Sequence, residues 1–316
     1  MARGNRLRSK AKRGSRRDAE TLYTRRVLLA TGSPGLVWIV LFIVAGLYTL
    51  LCVALGSLDP ILMLARPEWS PLHWSYGNLG SVFAGLSPVG GIYWPIVSRT
   101  IIYIAIALGG TILIGYPVAY FVTFHAGRYK ALLLILLATP FLVSYMLRML
   151  AWVGLLAPDG YVNRILVHAG VIQTPVNWLG GQPAIVVLAL IYGWVPYFIF
   201  PLYASLERLD TVHMEAASDL GASNLAIFLH VTLPLSRPGI IAGAVIVGLP
   251  MFGDFYTNTL VSGSSRTTMI GNLINFYVSS ETQQIVGAAL AVALMLFLGV
   301  LLFGYVRSSG NTLEGI

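Results

Sequence analysis

Arg148 and Asp254 are the residues whose chemistry is hardest to explain by packing alone. Each lies inside a long apolar block. A charge near the centre of a bilayer costs about 2.5–3.5 kcal/mol on an insertion scale. Such residues face protein or a water-filled cavity, and they point to function. Aromatic residues lie in the same two apolar blocks and in the block between them: Tyr145, Tyr192, Trp194, Tyr197, Phe252, Phe255 and Tyr256. Ammonium groups bind aromatic faces. Two chemistries fit. In one, Arg148 and Asp254 form a structural ion pair. In the other, Asp254 attracts a cationic solute along a path lined by Tyr145, Trp194, Tyr197, Phe255 and Tyr256, and Arg148 shapes the gate.

Bond-making chemistry has no comparable constellation. The chain contains no Gly-x4-Gly-Lys-Ser/Thr phosphate loop, no His-Glu-x-x-His and no Gly-x-Ser-x-Gly. His73, His125, His168, His213 and His230 are scattered, with no pair at ligand spacing. The single cysteine, Cys52, excludes an intrachain disulfide and a cysteine-rich metal site. The expectation is no catalytic residue, no metal and no cofactor in this chain. If ATP drives it, another subunit binds the nucleotide.

The elements that place Arg148 and Asp254 are set by composition. Of 316 residues, 57% are hydrophobic and 10% charged, against about 25% charged in an ordinary soluble domain. That much apolar surface needs the bilayer as solvent. Six apolar stretches are long enough to cross: 36–56, 100–122, 131–156, 184–206, 239–261 and 286–306. They lack period-2 alternation, so the expectation is an all-α membrane protein with six transmembrane helices. The first stretch is too long for a signal h-region and reads as an uncleaved span. On straight helices, Arg148 and Asp254 stand about 26 and 22 Å up their spans at 1.5 Å per residue, within pairing reach.

Orientation follows from basic residues. Ten of the twenty Lys/Arg precede residue 27. With the N-terminus inside, fifteen fall on the cytoplasmic side and four outside, with Arg148 in a span. Without the tail the count is five against four, so the tail decides. It reads as a topology signal beside anionic lipid rather than a nucleic-acid arm. Both termini are expected in the cytoplasm of a multi-pass plasma-membrane protein. The expected organisation is a basic tail over 1–30, a membrane domain over 31–308 and a short tail over 309–316. The outer segments carry Trp69, Trp74, Trp94, Tyr161 and Trp178, which read as interfacial anchors or as a docking surface for an extracytoplasmic partner.

One polar segment interrupts this apolar chain, at about 207–238. Asp210 is placed to cap a helix over Thr211–Leu220. Gly221 supplies the left-handed residue that ends it. Ser223 is placed to cap a second helix over Asn224–Val231, and Pro234 and Pro238 are expected to stop it. Glu215 points outward, and Ala216 and Ala217 allow close approach. Met214, Leu220, Leu225 and Phe228 supply apolar anchors for a helix-in-groove contact.

Glu215-Ala216-Ala217, three residues, Gly221, nine residues, then Val231-x-Leu233-Pro234 resembles the EAA loop of ABC importer permeases. The family usually has Ile where Val231 stands. Further segments resemble the spermidine/putrescine permease subfamily. They are Gly115-Tyr116-Pro117-Val118-Ala119-Tyr120, Pro201-Leu202-Tyr203-Ala204-Ser205-Leu206-Glu207, Ala217-x-Asp219-Leu220-Gly221-Ala222-Ser223, Pro238-Gly239-Ile240-Ile241-Ala242-Gly243 and Met269-Ile270-Gly271-Asn272-Leu273-Ile274. Together they span roughly 100–306. The resemblance implies a type I ABC importer permease fold. It implies coupling to an ATPase through Glu215, Ala216, Ala217, Leu220, Gly221 and Phe228. It also implies four kinds of partner: a second homologous permease subunit, two ATP-binding cassette subunits, an extracytoplasmic solute-binding protein and the lipid bilayer, with no nucleic acid. Arg148 stands where polyamine permeases carry an arginine. Other cargoes of the same class are a different small amine, an amino acid or an aminophosphonate. A secondary transporter would show inverted repeats, and a membrane enzyme would show a paired nucleophile and base; neither pattern is found.

Overall fold

The computed structural model describes residues 32–61 and 64–313. The basic tail expected over 1–30 lies outside the described residues. The first helix, α1 (Gly32–Ala54), is apolar throughout. Only its last turn is covered, with Cys52 and Ala54 fully buried. A short antiparallel hairpin follows, pairing β1 (Ser57–Leu58) with β2 (Ala65–Arg66). It leads to α2 (Gly77–Gly85).

Next comes α3 (Trp94–Phe124), a long span that retains Pro117 inside it. The stretch expected to cross at 131–156 is not one helix. It divides into α4 (Lys130–Ala138), a tight turn over Thr139–Leu142, and α5 (Tyr145–Leu156). The arm over Gly127–Leu142 and the arm over Tyr145–His168 meet at 89°. Pro140 lies in the turn and removes a backbone donor, and Val143 and Ser144 are extended (ψ 128 and 139). The straight-helix depth assigned to Arg148 is therefore corrected. Arg148 sits one turn into a new helix that begins after the bend.

After α6 (Tyr161–His168), α7 (Pro183–Leu206) crosses unbroken despite Pro196 and Pro201. The polar segment forms α8 (Thr211–Asp219), then α9 (Asn224–Ile227). Pro234 does not stop the second helix. A wider π turn at Phe228–Thr232 carries the chain into α10 (Leu233–Leu235). The looser turn shifts the hydrogen-bond register ahead of the proline, which has no N–H to place. A 61° bend then leads into α11 (Arg237–Gly253). That helix ends before Asp254, so the stretch expected at 239–261 is also broken, and α12 (Tyr256–Val261) continues it. The chain closes with α13 (Ile270–Ser279) and α14 (Gln284–Leu313).

Among the described residues, four helices are long and apolar enough to cross, or up to six if each of the two bent pairs is one span. The main core lies where α7 packs between α3 and α11, around Leu190, Phe198, Ile199, Leu202, Val247 and Met251. Glycines permit this closeness. A Cβ on Gly115 would lie 2.6 Å from the Phe198 ring, and one on Gly243 would lie 2.8 Å from it. A second core joins α14 to α13, α2 and the end of α1. A third joins α5, α7 and α12 through Met149, Leu156, Ala189 and Val261. Outward-facing leucines, isoleucines and phenylalanines on α1, α4 and α14 suit contact with lipid or with another apolar surface.

Candidate functional site

The polar segment folds largely as its residue types dictate. The Asp210 carboxylate accepts from the Val212 N–H at 3.0 Å, and the Ser223 hydroxyl accepts from the Ala226 N–H at 3.3 Å. Gly221 takes φ +81, and among the described residues nothing lies within 4 Å of a Cβ built there. Glu215 and Ala216 are exposed and Ala217 is half-buried. Leu220 is 89% exposed, which is costly in water for a leucine unless something covers it.

The apolar residues of this segment divide into two sets. Leu220 and Leu225 face outward. Phe228 instead packs edge-on against Tyr116 and Tyr120 of α3, with centroid distances of 5.5 and 5.7 Å. Met214 is also drawn inward, and its sulfur accepts from the Thr232 hydroxyl at 3.6 Å. The Tyr116 hydroxyl meets the buried Ser236 hydroxyl at 2.9 Å, at the bend before α11. The segment is thus tied to α3 by its own aromatic, and a groove of about 730 Å³ lies between them, lined in part by Tyr116, Tyr120, Glu215 and Phe228.

The second site lies among the spans. Tyr145, Arg148, Trp194, Tyr197 and Asp254 come together there. Asp254 sits at the break between α11 and α12, where its side chain serves the next helix. Its Oδ1 accepts from the Thr257 N–H at 3.0 Å. Its Oδ2 accepts from the Thr257 hydroxyl at 2.6 Å and from the Tyr145 hydroxyl at 2.6 Å. Asp254 is 7% exposed and Arg148 is 5% exposed.

The ion pair is not formed. Among the described residues, no carboxylate lies within 4.0 Å of Arg148. The break in each span sets the two charges at positions that straight helices did not foresee, and Tyr145 touches both. Arg148 Nη1 donates to the Gly193 carbonyl at 3.3 Å, and Nη2 donates to the Tyr197 hydroxyl at 3.4 Å. Its guanidinium lies 5.3 Å from the Tyr145 ring centre and 5.9 Å from that of Tyr197. The buried Nε has no partner. Trp194 stacks at a tilt against both tyrosines, with centroid distances of 5.7 and 5.4 Å.

Phe255 and Tyr256 do not join this cluster. They stack on each other at 4.1 Å, and Tyr256 is exposed. Two members of the cluster escape sequence reasoning. Thr257 completes the carboxylate shell, and its position three residues after Asp254 is the spacing of a helix-capping carboxylate. Gly193 seats the Tyr145 ring, since a Cβ there would lie 2.7 Å from Tyr145 Cε2. No spacing rule signals that contact. Among the described residues no group of three or more metal-ligating side chains occurs.

A broken-helix membrane core with a capped, exposed polar elbow defines a permease subunit. The chain belongs to the family of binding-protein-dependent transport system inner membrane components, which matches residues 111–308. It is a multi-pass inner-membrane permease of an ABC importer. It is 35% identical over 218 residues to the spermidine/putrescine transport system permease protein PotB of Escherichia coli (strain K12), covering 69% of this chain and 78% of that one. It is 30% identical over 251 residues to the inner membrane ABC transporter permease protein YdcU of the same organism, covering 76% of each. In fold it is similar to a solved bacterial alginate ABC transporter in complex with an alginate pentasaccharide-bound periplasmic protein. There the TM-score is 0.67 at 16% identity, over 87% of this chain and 90% of that one. An inward-facing MetNI methionine ABC transporter matches with TM-score 0.52 at 18% identity, over 69% of this chain and 96% of that one. The type I permease fold is thereby shown.

Proposed function

We propose that this permease carries polyamines, spermidine or putrescine, and supplies half of their path. Its 35% identity to a spermidine/putrescine permease over most of both chains carries that reading. A buried carboxylate, Asp254, amid Tyr145, Trp194 and Tyr197 is consistent with cationic cargo. Beside this chain stand a second, related permease, two ATP-binding subunits and an extracytoplasmic solute-binding protein. The N- and C-termini lie in the cytoplasm.

Glu215, Ala216, Ala217, Leu220 and Gly221 form the surface that docks on the ATP-binding subunit. Leu220 and Leu225 are the outward anchors, which explains their exposure. Phe228 passes the motion on, because its ring bears on Tyr116 and Tyr120 of α3. The bend at Ser236 then transmits it to α11, whose far end is the Asp254 break. The chain makes and breaks no covalent bond; ATP is hydrolysed by the partner.

Calorimetric titration of the cognate solute-binding protein tests the cargo. Putrescine and spermidine bind, while small amino acids and aminophosphonates do not. Binding of an amino acid with no response to either polyamine would overturn the assignment.

A further inference from the structure

We propose that Arg148 is a built-in competitor for the cationic solute at Asp254, and that Tyr145 is the movable piece between them. This rests on the reading of a cationic cargo and adds how that cargo is released. The geometry leaves an unmet demand on each side of Tyr145.

On the acid side three oxygens crowd together. Tyr145 Oη, Thr257 Oγ1 and Asp254 Oδ2 lie 2.6 Å from one another in each pairing. With an ionised carboxylate, two hydroxyl hydrogens serve three short contacts. A primary ammonium group carries three N–H donors. By taking the place of the Tyr145 hydroxyl it supplies what the ring of oxygens lacks.

On the basic side Arg148 is 5% exposed, and its Nε has no partner. Its two other contacts, at 3.3 and 3.4 Å, are long, since charged donors ordinarily sit about 2.7–2.9 Å from their acceptors. A buried charge without a counter-charge is strongly destabilising. Asp254 is the acid of the same cluster, and both charges touch Tyr145. The ring rests on Gly193, where no Cβ holds it, and the Gly193 carbonyl receives Arg148. When the ring leaves, the carboxylate loses a donor and the guanidinium loses its cover. The two then pair directly, and that pair excludes an ammonium group. Solute and Arg148 therefore alternate on one carboxylate: solute is held while Arg148 turns to Gly193, and it departs as Arg148 takes over.

The test uses the complete transporter, purified with its companion permease and ATP-binding subunits, and radiolabelled putrescine as the probe. Equilibrium retention of label and the uptake rate in proteoliposomes are both read. Arg148→Gln removes the competitor, so putrescine binds about tenfold tighter and uptake slows. Asp254→Asn weakens binding. In the Asp254→Asn background, adding Arg148→Gln no longer tightens it. Arg148→Lys, a weaker competitor, falls between wild type and Arg148→Gln, and it carries the comparison if the glutamine variant does not assemble. Unchanged or weaker putrescine binding in the Arg148 variants, with Asp254→Asn still weakening it, would overturn the proposal. If Asp254→Asn leaves putrescine binding unchanged, the cationic-path reading itself fails, and this inference falls with it.

Discussion

At the residue scale, the proposed coupling and path roles rest on one glycine, Gly221, and one buried acid, Asp254. Gly221 adopts φ +81 with open space around it. A side chain placed there strikes nothing in its own chain, so what it disturbs is a docking partner or the turn itself. Gly221→Asp is expected to leave the protein in the membrane and cost the fold about 1 kcal/mol, because a left-handed aspartate is tolerated. Solute uptake falls at least tenfold while the ATP-binding subunit's own hydrolysis persists. Uptake assayed against protein level in the same vesicles checks this, and normal uptake would remove Gly221 from the coupling surface. The elbow is legible in sequence because its determinants are local: Asp210, Gly221 and Ser223 each act within four residues of themselves. The cluster at Asp254 is legible only in part. Its residue types announce a buried polar site, but its contacts join positions 109 and 45 residues apart, and no local rule sets such pairings.

At the element scale, the stretches that carry the two buried charges are the ones that break. α3 and α7 keep their internal prolines and remain whole, whereas the stretches bearing Arg148 and Asp254 break. Hydropathy marks six apolar stretches but not the breaks, because an apolar window scores the same whether the helix inside it is continuous or bent. Helix packing in the core depends on glycines against Phe198. Gly243→Val should lower the unfolding free energy by about 1–3 kcal/mol through overpacking, and Phe198→Ala by about 3–5 kcal/mol through a cavity. Phe198→Leu should recover part of the Gly243→Val loss, since the two sites share one contact. Thermal unfolding of the purified complex measures all three. If the double variant were simply additive, the proposed clasp would be absent.

A polar tie also links elements at the C-terminal end of α7. Lys130 donates to Glu207 at 2.8 Å. Hydrogen bonds from Lys130 and then Tyr203 hold the Glu207 carboxyl below its ordinary value of 4.5. A lowered carboxylate value means stability present above the ordinary value and lost as pH falls through the lowered one. The pair is solvent-exposed and its effect is small. Glu207→Gln should therefore reduce the melting temperature slightly at neutral pH, and the gap from wild type should narrow as pH falls below the ordinary value of 4.5. An equal gap at both pH values would assign the effect to packing instead.

At the scale of the whole molecule, the proposed coupling makes the chain a lever with a polar handle. The handle, α8 and α9, is capped and exposed, and its inner face bears on α3 through Phe228. The far end is the break at Asp254, where acid, arginine and tyrosine meet. Among the described residues nothing covers Leu220 and Leu225, in keeping with a machine completed by other subunits. The most direct measurement is the accessibility of position 215. Cys52 is fully buried and gives a silent background, so Glu215→Cys can be labelled with a membrane-impermeant maleimide in oriented vesicles. The account predicts labelling only in inside-out vesicles, and protection when the ATP-binding subunit is bound. Labelling from the outer face, or labelling unaffected by that subunit, would contradict it.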